Sequence, residues 1–310
     1  MLYFIVNEKS KSGNAKQIWK EIEEVLKVRN VSYQAFVSEY RGHAGKLATE
    51  ICAMDDNDIC LVAVGGDGTA NEVINGITDF EKVRFGVIPT GSGNDFARGL
   101  SLSKDPKNGA IHILNAMKKS REDTWCMDLG EVNFGEKKRL FAISAGIGLD
   151  ALVCKKALKS TIKDILNKIR LGKLTYLVLT VQSLFTMQTA DAEIFFDREE
   201  GLQKKRMIFT AAMNFKAEGG GVPMAPAASA CDGKLSFCEA AGIPKWRTFL
   251  CLPFLVAAKH TSIHGFSVTD AKDCTIRLSR PMVVHADGEY CGEVTEVHFH
   301  CLPGKLRVLK

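Results

Sequence analysis

The chain has no long uncharged apolar run, no close cysteine pair and little excess charge, and each absence removes a class of protein. The most tempting apolar stretches are Leu174 to Ala190, broken by threonines, glutamines and a serine, and Thr248 to Ala258. The second is too short, because a spanning helix needs ~20 apolar residues. Neither is expected to cross a bilayer, so any contact with a membrane is from outside. None of the 10 cysteines stands at C-x-x-C spacing, which argues against a zinc ribbon or a redox pair. Several sit in apolar runs, as Cys60 does in Ile59-Cys60-Leu61-Val62, where a thiol behaves as a small core residue. A reducing, cytoplasmic setting is expected. The formal net charge of +5 is too small to argue for nucleic acid, although it permits attraction to phosphates or an anionic membrane. Met1 to Lys9 has no basic leader and only a short apolar run, so it reads as a strand rather than a signal peptide.

What is present is ordinary globular composition, 46% hydrophobic and 25% charged over 310 residues, enough for two domains of ~100–200 residues each. The first third alternates strand and helix. Strands are expected at Leu2–Val6, Val31–Val37, Asp58–Val64 and Phe85–Ile88. Helices are expected at Ala15–Val28, His43–Met54, Ala70–Ile77, Asn94–Leu100 and Lys107–Lys118, a rhythm that predicts a parallel sheet covered by helices. After about Cys126 the rhythm changes. Strands are expected at Leu140–Ser144, Ala192–Phe196, Lys205–Met213, Lys234–Cys238, Asp273–Leu278 and Val294–His300, with helical insertions at Leu152–Phe185 and Lys245–Lys259. That series predicts a largely antiparallel β domain. We therefore expect an α/β domain over residues 1–125 and a β-sandwich domain over 126–300, with the active site in the cleft between them. The tail 301–310 is a candidate to return to the first domain.

Two strand–helix junctions carry the chemistry. Asp58–Val64 runs into Gly65-Gly66-Asp67-Gly68-Thr69 and then Ala70-Asn71-Glu72-Val73-Ile74-Asn75-Gly76. Glycines let backbone approach a ligand, and amides at a helix N-terminus attract phosphate. Asp67 cannot itself bind phosphate; a carboxylate there would hold Mg²⁺ or orient a hydroxyl or water. The structural alternative is a tight strand–helix turn with an Asx cap. Neither Walker A nor G-x-G-x-x-G spacing fits. The next junction, Phe85-Gly86-Val87-Ile88 into Pro89-Thr90-Gly91-Ser92-Gly93-Asn94-Asp95-Phe96-Ala97-Arg98, repeats the arrangement, and ligands in open α/β sheets bind outside the carboxyl ends of strands.

These two motifs together resemble the catalytic domain of diacylglycerol kinases, and most of all the soluble bacterial lipid kinases of that family, which share a broader fold with phosphofructokinases and NAD kinases. One departure is Glu8 after Asn7, where the family has Asn-Pro before its small-residue loop, here Lys11-Ser12-Gly13. The resemblance implies an ATP- and Mg²⁺-dependent transfer of phosphate to a lipid hydroxyl, diacylglycerol foremost. It implies nucleotide contacts from Asn7, Ser38, Gly65, Gly66, Asp67, Gly68, Thr69, Asn71, Glu72, Ser92 and Asn94. It further implies catalytic carboxylates at Asp67, Asp95, Asp128 and Glu289, with Glu289 as general base. Pro226–Leu235 is similar to the family's second Mg²⁺ site, where Asp232 and main-chain carbonyls of Ser229 and Lys234 would be ligands. On their own residues, Asp287-Gly288 beside Glu289 and Asp232-Gly233 both read as hairpin turns.

Other readings compete. The acceptor could be phosphatidylglycerol, a sphingoid base or a polyprenol; the protein could be a kinase of NAD or a small molecule, or a nucleotide-binding regulator without catalysis. His260 and His264 lack the Glu of a H-E-x-x-H helix, and His298 and His300, alternating along a strand, read as ordinary surface or core histidines. Lys155, Lys156, Lys159, Lys163, Lys168, Arg170 and Lys173 flank an apolar stripe of Leu158, Ile162, Ile165 and Ile169, the pattern of a helix lying on anionic membrane, or of a solvated helix packed on its own domain. The oligomeric state stays open, a homodimer included.

Overall fold

The computed structural model describes residues 1–10, 15–159, 172–197 and 200–310, with only the backbone described at 158, 159 and 172–177. It divides into two compact units: Met1–Asp128 with Pro303–Lys310, and Leu129–Leu302.

In the first unit, β1 (Leu2–Val6), β2 (Tyr33–Val37), β3 (Ile59–Gly65) and β4 (Val83–Pro89) form a parallel sheet in the order β4-β3-β1-β2. The end of β14 (Glu289–Val308) adds to it, with Arg307 and Val308 parallel to Arg84 and Phe85. Strands β1, β3 and β4 are buried along their whole length, as their unbroken apolar runs require of a sheet covered on both faces. The chain first moves outward from β1 to β2 through α1 (Ala15–Val28). It then reverses past β1 through α2 (His43–Cys52) to β3, and continues through α3 (Asp67–Gly76) to β4. Right-handed crossovers in opposite directions put α1 on one face and α2 with α3 on the other. Trp19, Ile22 and Leu26 of α1 pack with Ile113 and Leu114 of α5 (Pro106–Ala116), which follows the short α4 (Asp95–Gly99), on Leu2, Phe4, Val6 and Val62.

Several starts differ from expectation, β4 at Val83 instead of Phe85 among them, and one matters. Strand β2 begins at Tyr33 instead of Val31, and α3 begins at Asp67 instead of Ala70. What looked like a five-residue loop is therefore one capping residue, Gly66, between strand and helix.

The second unit has an antiparallel core in which β12 (Phe266–Ala271), β11 (Leu235–Ala240), β10 (Phe209–Met213), β7 (Ser144–Gly148), β13 (Asp273–Ala286) and β14 pair in that order. The first part of β13 also pairs with β8 (Ala190–Phe196), its last part with β7, and the ladder with β14 shifts register between Arg277 and Met282. This lets one strand serve both layers of a sandwich. Phe237 stands between Phe196 and Phe299, with ring centroids 5.4 and 6.0 Å away.

Two expected strands are each split in two. Leu140–Ser144 becomes the end of β6 (Lys137–Phe141) and the start of β7, because the amides of Ala142 and Ile143 are taken by the distant Asp287 carboxylate. Lys205–Met213 breaks at Ile208, between β9 (Leu202–Met207) and β10, and near the end of β9 Arg206 is left-handed at φ 52 and donates its amide to the Asp191 side chain. β5 (Trp125–Phe134), whose first residues lie in the first unit, and β12 were not anticipated. The helices are α6 (Leu149–Lys159), α7 (Gly172–Thr186) and α8 (Lys245–Val256). Among the described residues no helix is long and apolar enough to cross a membrane. All ten cysteines are free thiols, and burial pushes Cys60 up to about 11, which keeps it protonated and inert.

Candidate active site

Four parallel strands end side by side and place Ser38, Asn7, Gly65–Gly66 and Thr90 in a row at their carboxyl edge. The ladder runs on into these residues: Asn7 N donates to Val64 O (2.9 Å), Ser38 N to Val6 O (2.8 Å) and Thr90 N to Gly65 O (2.8 Å). β1 and β3 are the neighbours from which the chain departs in opposite directions, the switch point where open α/β sheets bind ligands. Across that gap the Asn7 side chain donates to Thr69 Oγ1 (3.0 Å), and Ser10 Oγ lies 2.5 Å from Thr90 Oγ1.

The glycines are needed for backbone-on-backbone packing. A Cβ on Gly91 would lie 2.7 Å from Gly66 Cα and 2.8 Å from Asn94 Oδ1, and one on Gly65 would lie 2.5 Å from Thr69 Cβ. The second loop closes on itself, since Asn94, left-handed at φ 51, accepts from Gly91 N and donates to Gly91 O, both at 2.9 Å. Gly66 caps α3 with no side chain, so no side-chain cap covers that helix N-terminus.

Asp67 opens α3 beneath Gly93 and accepts from Phe96 N (3.0 Å). Burial raises its carboxyl above the ordinary 3.8, while the amide of Phe96, the charge of Arg98 and the amides of Asn94 and Asp67 itself pull it back. Asp95, nearly buried, pairs with the Arg98 guanidinium, which also donates to Gly93 O (2.7 Å). Asp67, Asp95 and Arg98 thus share one loop pair. Ser92 is exposed at its tip.

The other expected residues are spread out. Glu72 accepts from Gly42 N (2.8 Å) and fixes the loop that opens α2. Asn71 is buried and accepts from Asn75 Nδ2 (3.3 Å). Asp128 is buried and accepts from Gly304 N (2.7 Å), tying the returning end of the chain into the first unit. In the second unit, Glu289 stands opposite Ala286 across a two-residue turn whose residues, Asp287 at φ 48 and Gly288 at φ 82, are both left-handed, as a type I′ hairpin requires.

Comparison with known proteins fits this geometry. The diacylglycerol kinase catalytic domain matches residues 1–127, and the YegS C-terminal NAD kinase beta sandwich-like domain matches residues 144–310. A Bacillus subtilis (strain 168) protein named "Putative lipid kinase YtlR" is 30% identical over 99% of this chain and 98% of its own. The chain belongs to the diacylglycerol kinase family. A diacylglycerol kinase of the same organism is 28% identical over 81% of this chain and 76% of its own. A solved structure of a "putative diacylglycerol kinase" from Bacillus anthracis str. Sterne superposes with a TM-score of 0.77 at 22% identity, covering 99% and 96% of the two chains.

Within this family member, the Asp232 reading changes in form. Asp232 Oδ1 accepts from Lys234 N (3.1 Å) with Gly233 at φ 75, an Asx turn that leads into β11 from irregular chain and not a hairpin. Ser229 lies just before it, with Oγ 3.5 Å from Cys231 Sγ.

Several residues were missed. Asp287 accepts from the amides of Ala142 (2.9 Å), Ile143 (2.8 Å) and Ser144 (3.1 Å), and so staples the turn that carries Glu289. Beneath it lies a buried cluster in which His285 Nε2 meets Asp150 Oδ2 (3.1 Å), Gly288 N donates to His285 Nδ1 (3.2 Å) and Ser144 Oγ bonds Glu218. Burial raises the Glu218 carboxyl. Gly288–His285 apart, no local pattern signals these contacts, because they join residues far apart in sequence.

Proposed function

We propose that the chain transfers the γ-phosphoryl group of ATP to the hydroxyl of a lipid, diacylglycerol foremost, giving phosphatidic acid. The observation that carries this is the paired loop at the switch point, where Gly66 and Gly91 meet backbone to backbone over a helix N-terminus whose N-cap residue supplies no side-chain cap and two carboxylates lie beneath. In the transfer the lipid oxygen attacks the γ-phosphorus in line, the bond to the β,γ-bridging oxygen breaks and ADP leaves. Glu289 takes the hydroxyl proton, and Asp287 fixes the turn it stands on. Positioning and charge neutralisation supply most of such catalysis.

Mg²⁺ fits the donors present. Asp67 is a carboxylate whose burial raises its pKa, a cost that a cation offsets, and it shares its loop pair with Asp95. These two residues would hold it, and when bound it neutralises the phosphate oxygens. The turn at Asp232, with the carbonyls of Ser229 and Lys234, suits a second hard cation.

The test is transfer from radiolabelled ATP to a panel of lipids in mixed micelles. Label is expected in diacylglycerol and lost by at least ~10²-fold in Asp67→Ala and Glu289→Ala. Full transfer by both variants would remove the mechanism; label in another lipid would redirect the substrate.

Contact with an anionic bilayer belongs to the same proposal. On α8, Trp246, Leu250 and Val256 are 60%, 57% and 66% exposed, next to Phe249 and Phe254, with Lys245 and Arg247 at one end. Apolar exposure of this size on one helix, flanked by cations, fits a lipid surface. Of the basic segment in α6 and beyond, Lys155 bonds Glu293 (2.5 Å) and Lys156 bonds Thr186 (3.0 Å) within the unit. Residues 162, 163, 165, 168, 169 and 170, and the side chains of Leu158, Lys159 and Lys173, lie outside the described residues. Co-sedimentation with phosphatidylglycerol vesicles should fall several-fold in Trp246→Ala/Leu250→Ala; unchanged binding would return the role to the Lys155–Lys173 segment.

A further inference from the structure

We propose that Asp273, His298 and His300 form a binding site for a first-row divalent transition ion, zinc foremost, on the outer face of the second unit. Read along the chain, His298-x-His300 is an unremarkable strand pattern. Register supplies what the sequence hides. In the β13–β14 ladder Asp273 stands opposite His300 and Thr275 opposite His298, so all four side chains leave the same face. The intervening Cys274, Val297 and Phe299 fill the core on the other.

The donor atoms converge. Asp273 Oδ1 lies 2.6 Å from His300 Nδ1 and 3.4 Å from His298 Nε2, and one donor from each residue falls within 4.8 Å of the others. With zinc–ligand bonds of ~2.0–2.2 Å, neighbouring ligands of a tetrahedral ion stand roughly 3.3–3.5 Å apart. The His298 pair is already at that spacing; the His300 pair is a hydrogen bond that must open by under 1 Å. The two imidazoles lie side by side, centroids 6.4 Å apart and planes 17° from parallel.

Two supports hold the ligands in place. Thr275 Oγ1 is 2.9 Å from His298 Nδ1; accepting a proton there leaves the Nε2 lone pair toward Asp273, the arrangement that metal-binding histidines favour. The backbone of Asp273 is clamped by Asp197, whose Oδ1 accepts Asp273 N (2.8 Å) while its own amide donates to Asp273 O (3.0 Å). The side chains are 38%, 33% and 31% exposed for His298, Asp273 and His300, so an ion enters from solvent and keeps water at its remaining positions. Two imidazoles and one carboxylate select zinc, nickel or cobalt over Mg²⁺, which separates this site from the all-oxygen sites of phosphoryl transfer. Bound there, the ion would cross-link β13 to β14 two residues before the second unit ends at Leu302.

The test uses tag-free full-length chain, stripped with chelator, kept in a phosphine reductant and titrated with Zn²⁺ by calorimetry and with Co²⁺ by visible absorption. Wild type is expected to bind one Zn²⁺ per chain more than His298→Ala/His300→Ala, with a dissociation constant on the order of 1 µM for three protein ligands. Visible Co²⁺ bands should be lost in the double variant and in Asp273→Asn, which retains the hydrogen-bond acceptor and guards against a folding artefact. Thr275→Val should weaken Zn²⁺ roughly tenfold. His264→Ala, an exposed histidine elsewhere, should leave uptake unchanged. Zn²⁺ should raise the melting temperature of wild type by a few degrees and that of the double variant not at all. Equal stoichiometry and equal Co²⁺ spectra in wild type and the double variant would overturn the proposal and leave a hydrogen-bonded cluster only.

Discussion

The two places where a carboxylate stands at a strand end are built by opposite means. At the β3 and β4 junctions of the first unit, Asp95 is held by its own loop, where Asn94, Phe96 and Arg98 are its sequence neighbours, while Asp67 is held by the amide of Phe96, 29 positions on, through glycines of the same two motifs. At the β13–β14 turn of the second unit, Glu289 is placed by Asp287, whose partners lie 143 to 145 positions away. A self-contained junction can be written in ten residues. A stapled hairpin depends on a fold already complete.

That contrast is broken most sharply at the staple. Asp287→Ala leaves three amides without their acceptor and should cost about 3 kcal/mol, read in denaturant unfolding, with a fall in turnover while nucleotide affinity holds. Asp287→Asn, which keeps one acceptor and the left-handed preference, should lose clearly less; equal losses would mean that the charge and second oxygen of the carboxylate, and not one acceptor, make the staple.

At the junctions the expected effect is smaller and falls on the nucleotide. Gly91→Ala presses a Cβ to 2.7 Å from Gly66 Cα, backbone against backbone, and should cost about 2 kcal/mol and at least tenfold in ATP affinity by fluorescence titration. Gly109→Ala in α5, where the Cβ meets Ile88 at an ordinary 3.7 Å, should instead stabilise slightly.

The smallest effect concerns charge. Because burial raises Asp67 above 3.8, ionising it costs stability once the pH exceeds its unfolded value. Asp67→Asn should therefore melt higher than wild type at neutral pH while losing transfer. The gap should vanish below about pH 3.8, grow as pH rises through the folded pKa and then level off. Saturating Mg²⁺ should narrow it by stabilising wild type alone. A lower melting point for the variant at pH 7 would show that the amide bonds to Asp67 outweigh its burial.

Much of the first unit was legible because its signals are local. Uninterrupted apolar runs marked β1, β3 and β4, and glycines beside an acid marked both junctions. Even there the start of α3 was misplaced, since Asp67, Gly68 and Thr69 look like loop until Gly66 is seen capping a helix. In the second unit the existence of most strands was legible, β5 and β12 excepted, but strand ends were not. Ala142 and Ile143 read as continuing a strand, and only the distant Asp287 carboxylate takes their amides out of the ladder.

The sequence by itself determined the alternation of elements, the two glycine-rich motifs and the resemblance that named a kinase family, because each rests on residues within a few positions of one another. Tertiary structure alone decided which carboxylates share a loop pair, what staples the turn of Glu289, and that two histidines passed over in the sequence face an aspartate across a ladder. Strand register joins residues whose separation along the chain carries no trace of their contact, and folding is what reveals it.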